Sequence, residues 1–180
     1  MKKRIVSCLM IIGAAGMLFA FGDLLIPQEN VIFDADKNPS DFAELVTTTN
    51  FRYWAARGFL GVLMEMIGTV GLYLYLQKTK AEKTAFIGLL LSLTHQILGF
   101  GVFSIIYFMF PVLGTLYQQG NTSVMAYATM KDELALLMGS SLLITLTGLA
   151  FMAVAIWRSG KLPKWSGWLV FLGFFLIPFP

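Results

Sequence analysis

Five apolar runs, at about residues 5–26, 54–77, 85–110, 134–157 and 165–178, limit what this chain can become. About 20 consecutive apolar residues cross the ~30 Å hydrocarbon layer of a bilayer as a helix, and the first four runs reach that length. The composition agrees with this reading. Of the 180 residues, 57% are hydrophobic and only 13% are charged, with a mean hydropathy of +0.74. A soluble domain carries roughly 25% charge. The expected fold is therefore all-α: a single polytopic transmembrane helix bundle over residues 1–180, with the lipid bilayer as its partner.

The first run follows Lys2-Lys3-Arg4. At about 22 residues it exceeds the 7–15 of a signal-peptide core, so it reads as a retained helix stopped by Pro27, as the third run is expected to be stopped by Pro111. Its small face is Gly13, Gly16 and Ala20, followed by Asp23. The single cysteine, Cys8, excludes an internal disulfide and a Cys-based metal cluster. Ile5-Val6-Ser7-Cys8 spells something like a lipoprotein cleavage box, but no apolar core precedes it, so lipidation fails on position.

Charge sets the orientation. Nine of the thirteen basic residues lie in segments 2–4, 78–83 and 158–164, which share one side when every run crosses. Seven of the ten acidic residues fall in the two opposite segments, 28–52 and 131–133. Basic residues mark cytoplasmic turns, so the N-terminus is expected in the cytoplasm, in a multi-pass protein of the inner cell membrane. Trp157, Trp165 and Trp168 then mark the inner interface, and Tyr53 with Trp54 the outer one. The same clustering explains the net charge of +3 without nucleic acid, which is excluded as a partner.

The outer loop 28–52 is acidic. Asp41 and Glu44 have capping-box spacing, and Phe42, Leu45 and Val46 form one apolar face, so a short amphipathic helix is expected there. Asp34, Asp36, Asn38 and Ser40 begin like a calcium loop, but Pro39 occupies the obligatory glycine position and Leu45 the final glutamate. A turn with local caps is the better account. At the other end, Trp165–Ile177 is 13 residues, about 20 Å of helix, before Pro178 and Pro180. It is either a half-helix ending inside the bundle or the sign of a sixth helix in an uncut chain.

One narrow face of the second run carries Gly58, Gly61, Glu65 and Gly68, and one face of the third carries Gly88, Ser92, His95, Gly99 and Val102. Folding the two antiparallel about Lys80 sets Gly61 level with Gly99, Glu65 with His95, Gly68 with Ser92 and Leu72 with Gly88. Small residues let membrane helices approach closely, so a tight glycine-lined hairpin is expected, with Glu65 and His95 facing each other near mid-membrane. An acidic group there costs about 2.5–3.5 kcal/mol on insertion scales unless it is paired, solvated or protonated. Gln96, Ser141 and Thr145 lie at similar depth and complete the candidate ligand-binding or proton-relay set. The plain structural alternative is a Glu65 hydrogen-bonded to His95, Gln96 or Thr145 that fixes helix register. Asp23 and Arg57 form a second candidate pair near the outer surface, which either ties the first helix to the second or marks the mouth of a cavity.

Other chemistry finds little support. One histidine cannot build a zinc site or bis-His haem ligation, so no metal and no cofactor is expected. The glycines sit within apolar helices rather than in a phosphate-binding loop. Ser92 and His95 lack an orienting acid, and the ten methionines suit lipid-facing packing.

Gly22-Asp23-Leu24-Leu25, Tyr53-Trp54-Ala55-Ala56-Arg57-Gly58 and Gly68-Thr69-Val70-Gly71-Leu72-Tyr73-Leu74 resemble a group of small multi-pass bacterial inner-membrane proteins of unknown function. The resemblance covers the first two helices and implies a five- or six-helix bundle without bringing an activity. Three functional classes follow. The first is a bundle that binds a small apolar or amphipathic ligand, or a partner helix, through Glu65 and His95. The second is an intramembrane enzyme or proton-coupled carrier using the same pair. The third is a structural accessory subunit of a membrane complex.

Overall fold

The computed structural model describes residues 2–26, 30–33, 35–129 and 131–173. Among these the helices are α1 (Lys2–Gly22), α2 (Asn30–Phe33), α3 (Pro39–Val46), α4 (Thr49–Leu76), α5 (Glu82–Phe108), α6 (Phe110–Gln118), α7 (Met125–Thr129), α8 (Lys131–Ser159) and α9 (Lys164–Gly173). Four stretches are long and apolar enough to cross a membrane: α1, α4, α5 continued by α6, and α8. The protein is thus an all-α bundle with four helices of membrane-spanning character among the described residues.

Helix ends follow local chemistry. The Thr48 hydroxyl accepts from Phe51 N at 3.1 Å and starts α4, five residues before the apolar run begins. The polar residues Asn50 and Arg52 form its first turn. Lys78, at φ 63°, ends the α4 side of the hairpin. Its N–H donates to Glu82 Oε2 at 3.0 Å, while Thr79 Oγ1 accepts from Ala81 N at 3.2 Å. Pro111 does not stop the third run. The chain pauses at Met109, and the proline falls in the first turn of α6, where its missing N–H has no intrahelical role. The short outer helix also starts earlier than a capping box at Asp41 requires: Asn38 is its N-cap without a side-chain bond, and Pro39 opens it.

The glycine seams correct the expected hairpin. A Cβ at Gly61 would fall 2.5 Å from the Phe19 ring, one at Gly68 2.3 Å from Ile12 Cβ, and one at Gly71 2.2 Å from Cys8 Cβ. All three partners belong to α1. A Cβ at Gly88 would lie 3.0 Å from Met152 N, and one at Gly148 3.1 Å from Ser92 N, so this close seam joins α5 to α8. Between α4 and α5 the contact is largely aromatic: Phe59 meets Phe100 at 5.0 Å and Tyr107 at 5.6 Å, and Phe103 covers Gly58. Their antiparallel register is centred on the 78–83 turn. On α1, Gly13 and Gly16 have nothing within 4 Å, so the small face of that helix takes no part in the bundle.

Two apolar clusters close the ends. At the acidic end, α3 lies across α6, with Phe42 edge-on to Phe110 at 5.3 Å and Gln118 Nε2 donating to Ala43 O at 3.2 Å. Phe42 is fully buried, which is worth about 2 kcal/mol. Trp54, expected at an outer interface, is instead 2% exposed and packs against Phe51 and Phe103. At the basic end, Leu72, Leu76, Ala81, Ala85, Met152 and Ile156 form the second cluster. Lys161 Nζ donates to Tyr75 O at 3.0 Å there, so the 78–83 and 158–164 turns lie together. The described part of the fifth run, α9, is ten residues folded back on α8. Gly167 sits against Ala153, and Trp168 is 6.0 Å from Trp157. Residues 174–180, with Pro178 and Pro180, lie outside the described residues, as does Asp34 of the calcium-like run.

Candidate functional site

Helical spacing sets the site. On α4, Glu65 and Thr69 are four residues apart and share a face. On α5, Ser92, His95 and Gln96 occupy one turn, and on α8, Thr145 follows Ser141 by four residues. Glu65, Thr69, Ser92, His95, Gln96 and Thr145 line one cavity of about 300 Å³. Ile12 and Phe19 of α1, Val62 of α4, Gly99 and Phe103 of α5 and Leu149 of α8 complete its wall. Helices α4 and α5 form the back, and α1 and α8 the flanks. Helix α1 seats on α4, and α8 on α5.

The hydrogen bonds differ from the pairing that depth alone suggests. His95 Nδ1 lies 2.7 Å from Ser141 Oγ, which joins α5 to α8. Gln96 Nε2 donates to Thr69 Oγ1 at 3.0 Å and joins α5 to α4. Thr145 Oγ1 donates back to Ser141 O at 2.8 Å. Two acceptors are left over. Gln96 is 6% exposed, and its Oε1 receives no hydrogen bond. Among the described residues, no hydrogen bond or ion pair engages the Glu65 carboxyl. Glu65 and His95 therefore share a cavity without bonding to each other. A buried acceptor without a donor, as at Gln96, is unfavourable, and the half-buried Glu65 carboxyl beside it also suits a molecule that brings donors.

Arg57 answers a different need. Its Nη1 donates to Phe19 O at 2.8 Å and Leu18 O at 3.2 Å, and Nε donates to Trp54 O at 3.4 Å. The guanidinium lies 5.8 Å from the Phe19 ring and 5.5 Å from that of Trp54. It thus adds a charged donor to the last turns of α1, where the helix dipole favours a cation. Gly22 leaves the room, because any Cβ there would overlap the guanidinium. Asp23 begins the 3-10 turn directly after α1, and its side chain lies outside the described residues.

Sequence reasoning did not assign Thr69, Ser92, Phe19 or Phe103 to the site. Thr69, one turn from Glu65, and Ser92, one turn from His95, could have been found by helical spacing. The two phenylalanines carry no such mark, since any apolar residue on those helices would read the same way.

The model of a family of unknown function matches residues 1–179 of the chain. No curated protein matches it, and no solved structure does.

Proposed function

The chain belongs to DUF6796, a family of unknown function, and from that premise we propose a multi-pass bacterial inner-membrane protein that binds a small amphipathic molecule around Glu65. Its N-terminus and its 78–83 and 158–164 turns face the cytoplasm, in keeping with their basic residues. The observation that carries the proposal is the Glu65 carboxyl, free of protein partners among the described residues, in a cavity lined from α1, α4, α5 and α8. Ionisable groups within membrane helices mark functional sites by default. A pocket near 300 Å³ is at the small end for ligands. Phe19, Val62, Phe103 and Leu149 suit an apolar body, and Glu65, His95 and Gln96 suit a polar head.

Access to Glu65 is directly measurable. Dicyclohexylcarbodiimide, a lipid-soluble carboxyl reagent, is expected to label the protein in lipid nanodiscs once per chain, at Glu65. Labelling disappears in Glu65→Gln and falls at least fivefold in Gly99→Leu, which fills the cavity where only Val62 stands near a new Cβ, at 3.8 Å. Absence of labelling in the natural chain overturns the proposal. Topology has its own test: a cysteine introduced into the 35–38 turn of the outer loop should react with an impermeant maleimide added to intact spheroplasts. A cysteine beside Lys80 should react only after permeabilisation.

A further inference from the structure

The unbonded acceptors of the cavity indicate which head group it takes. Gln96 is nine-tenths buried, its Oε1 receives no donor, and one N–H of its amide is given to Thr69. The Glu65 carboxyl lines the same cavity and also receives no donor among the described residues. Thr145 adds no donor, because its hydroxyl hydrogen is directed to Ser141 O. The described lining contains no lysine or arginine, and its one imidazole is already engaged with Ser141. The wall thus combines an acidic group with a second acceptor and holds no fixed cation. Two aromatic rings, Phe19 and Phe103, 6.5 Å apart, stand in the same wall.

We propose that the ligand is a lipophilic primary amine, held as its ammonium by Glu65 and Gln96 Oε1, with its hydrocarbon part among Phe19, Val62, Phe103 and Leu149. An ammonium carries three donors and no acceptor, whereas an alcohol carries one donor. Only the former satisfies both acceptors at once while supplying the missing positive charge. Hydrogen bonds between ionised groups are about twice as strong as neutral ones, and a cation is further attracted to the faces of aromatic rings within about 6 Å.

This assignment rests on the cavity being a binding site, and the test separates the two ideas. Hexylammonium and 1-hexanol are compared by ligand-observed NMR with the protein in lipid nanodiscs, using protein-free nanodiscs to subtract partition into lipid. The ammonium is expected to bind at least tenfold more tightly than the alcohol. Glu65→Gln should bring the two compounds within twofold of each other, and Gln96→Leu should reduce the preference at least threefold. Equal binding of the two compounds to the natural chain overturns the amine assignment and leaves the binding site standing. No specific binding of either compound overturns both. Because the decisive comparison uses the unaltered protein, a variant that fails to fold does not weaken the test.

Discussion

Alanine at Gly68 is expected to destabilise the protein by about 2 kcal/mol, the usual scale of overpacking a close contact, whereas alanine at Gly13 of α1 is expected to be neutral or to stabilise. The chemical change is the same at both positions. At Gly68 the new methyl would fall 2.3 Å from Ile12 Cβ and 3.0 Å from its Cα, atoms that move only when α1 moves. At Gly13 it would meet nothing within 4 Å, so the helix propensity of alanine, up to about 1 kcal/mol over glycine, acts alone. Leucine sharpens the contrast: Gly68→Leu should separate α1 from α4, and Gly13→Leu should not. Thermal unfolding in a mild detergent, followed by the burial-sensitive fluorescence of Trp54, measures both. Equal effects at the two positions would mean that α1 does not seat on α4 through its glycines.

Replacing Arg57 should be of similar or larger consequence, for a different reason. Arg57→Leu removes two charge-assisted bonds, to Leu18 O and Phe19 O, at a cost of about 3 kcal/mol. Arg57→Lys keeps the cation at the end of α1 but not the fork that reaches two carbonyls, and should recover about half of that loss. Hydrogen exchange localises the effect. Protection should fall over residues 16–22 in Arg57→Leu and remain unchanged at the basic end, where Leu76 and Met152 are packed. A uniform loss of protection across the bundle would contradict this local role.

Comparing particular residues shows what was legible in the sequence. Apolar length predicted the C-terminal end of the second span and both ends of the fourth to within three residues, and the charge of their flanking turns predicted which turns share an end. Boundaries were missed where a polar side chain extends a helix beyond the apolar run, as Thr48 does for α4. They were missed again where Pro111 opens a helix instead of closing one. Trp54 was misplaced because its ring suits both an interface and a core. Its burial depends on Phe51 and Arg57, one turn to either side on α4, and on Phe103 from α5.

By itself the sequence determined which stretches are helices of membrane-spanning length, and that Glu65, His95, Gln96 and Thr145 stand at comparable depth. Both follow from a fixed rise and a fixed turn per residue. Only the tertiary structure decided which neighbour occupies each helix face. It turned Gly61, Gly68 and Gly71 toward α1, joined His95 to Ser141 rather than Glu65, and left the acidic side chain in an open cavity. Periodicity assigns a side chain its angle about its own axis, but the same angle serves equally well against any helix that packs there. The choice of neighbour therefore belongs to the bundle as a whole.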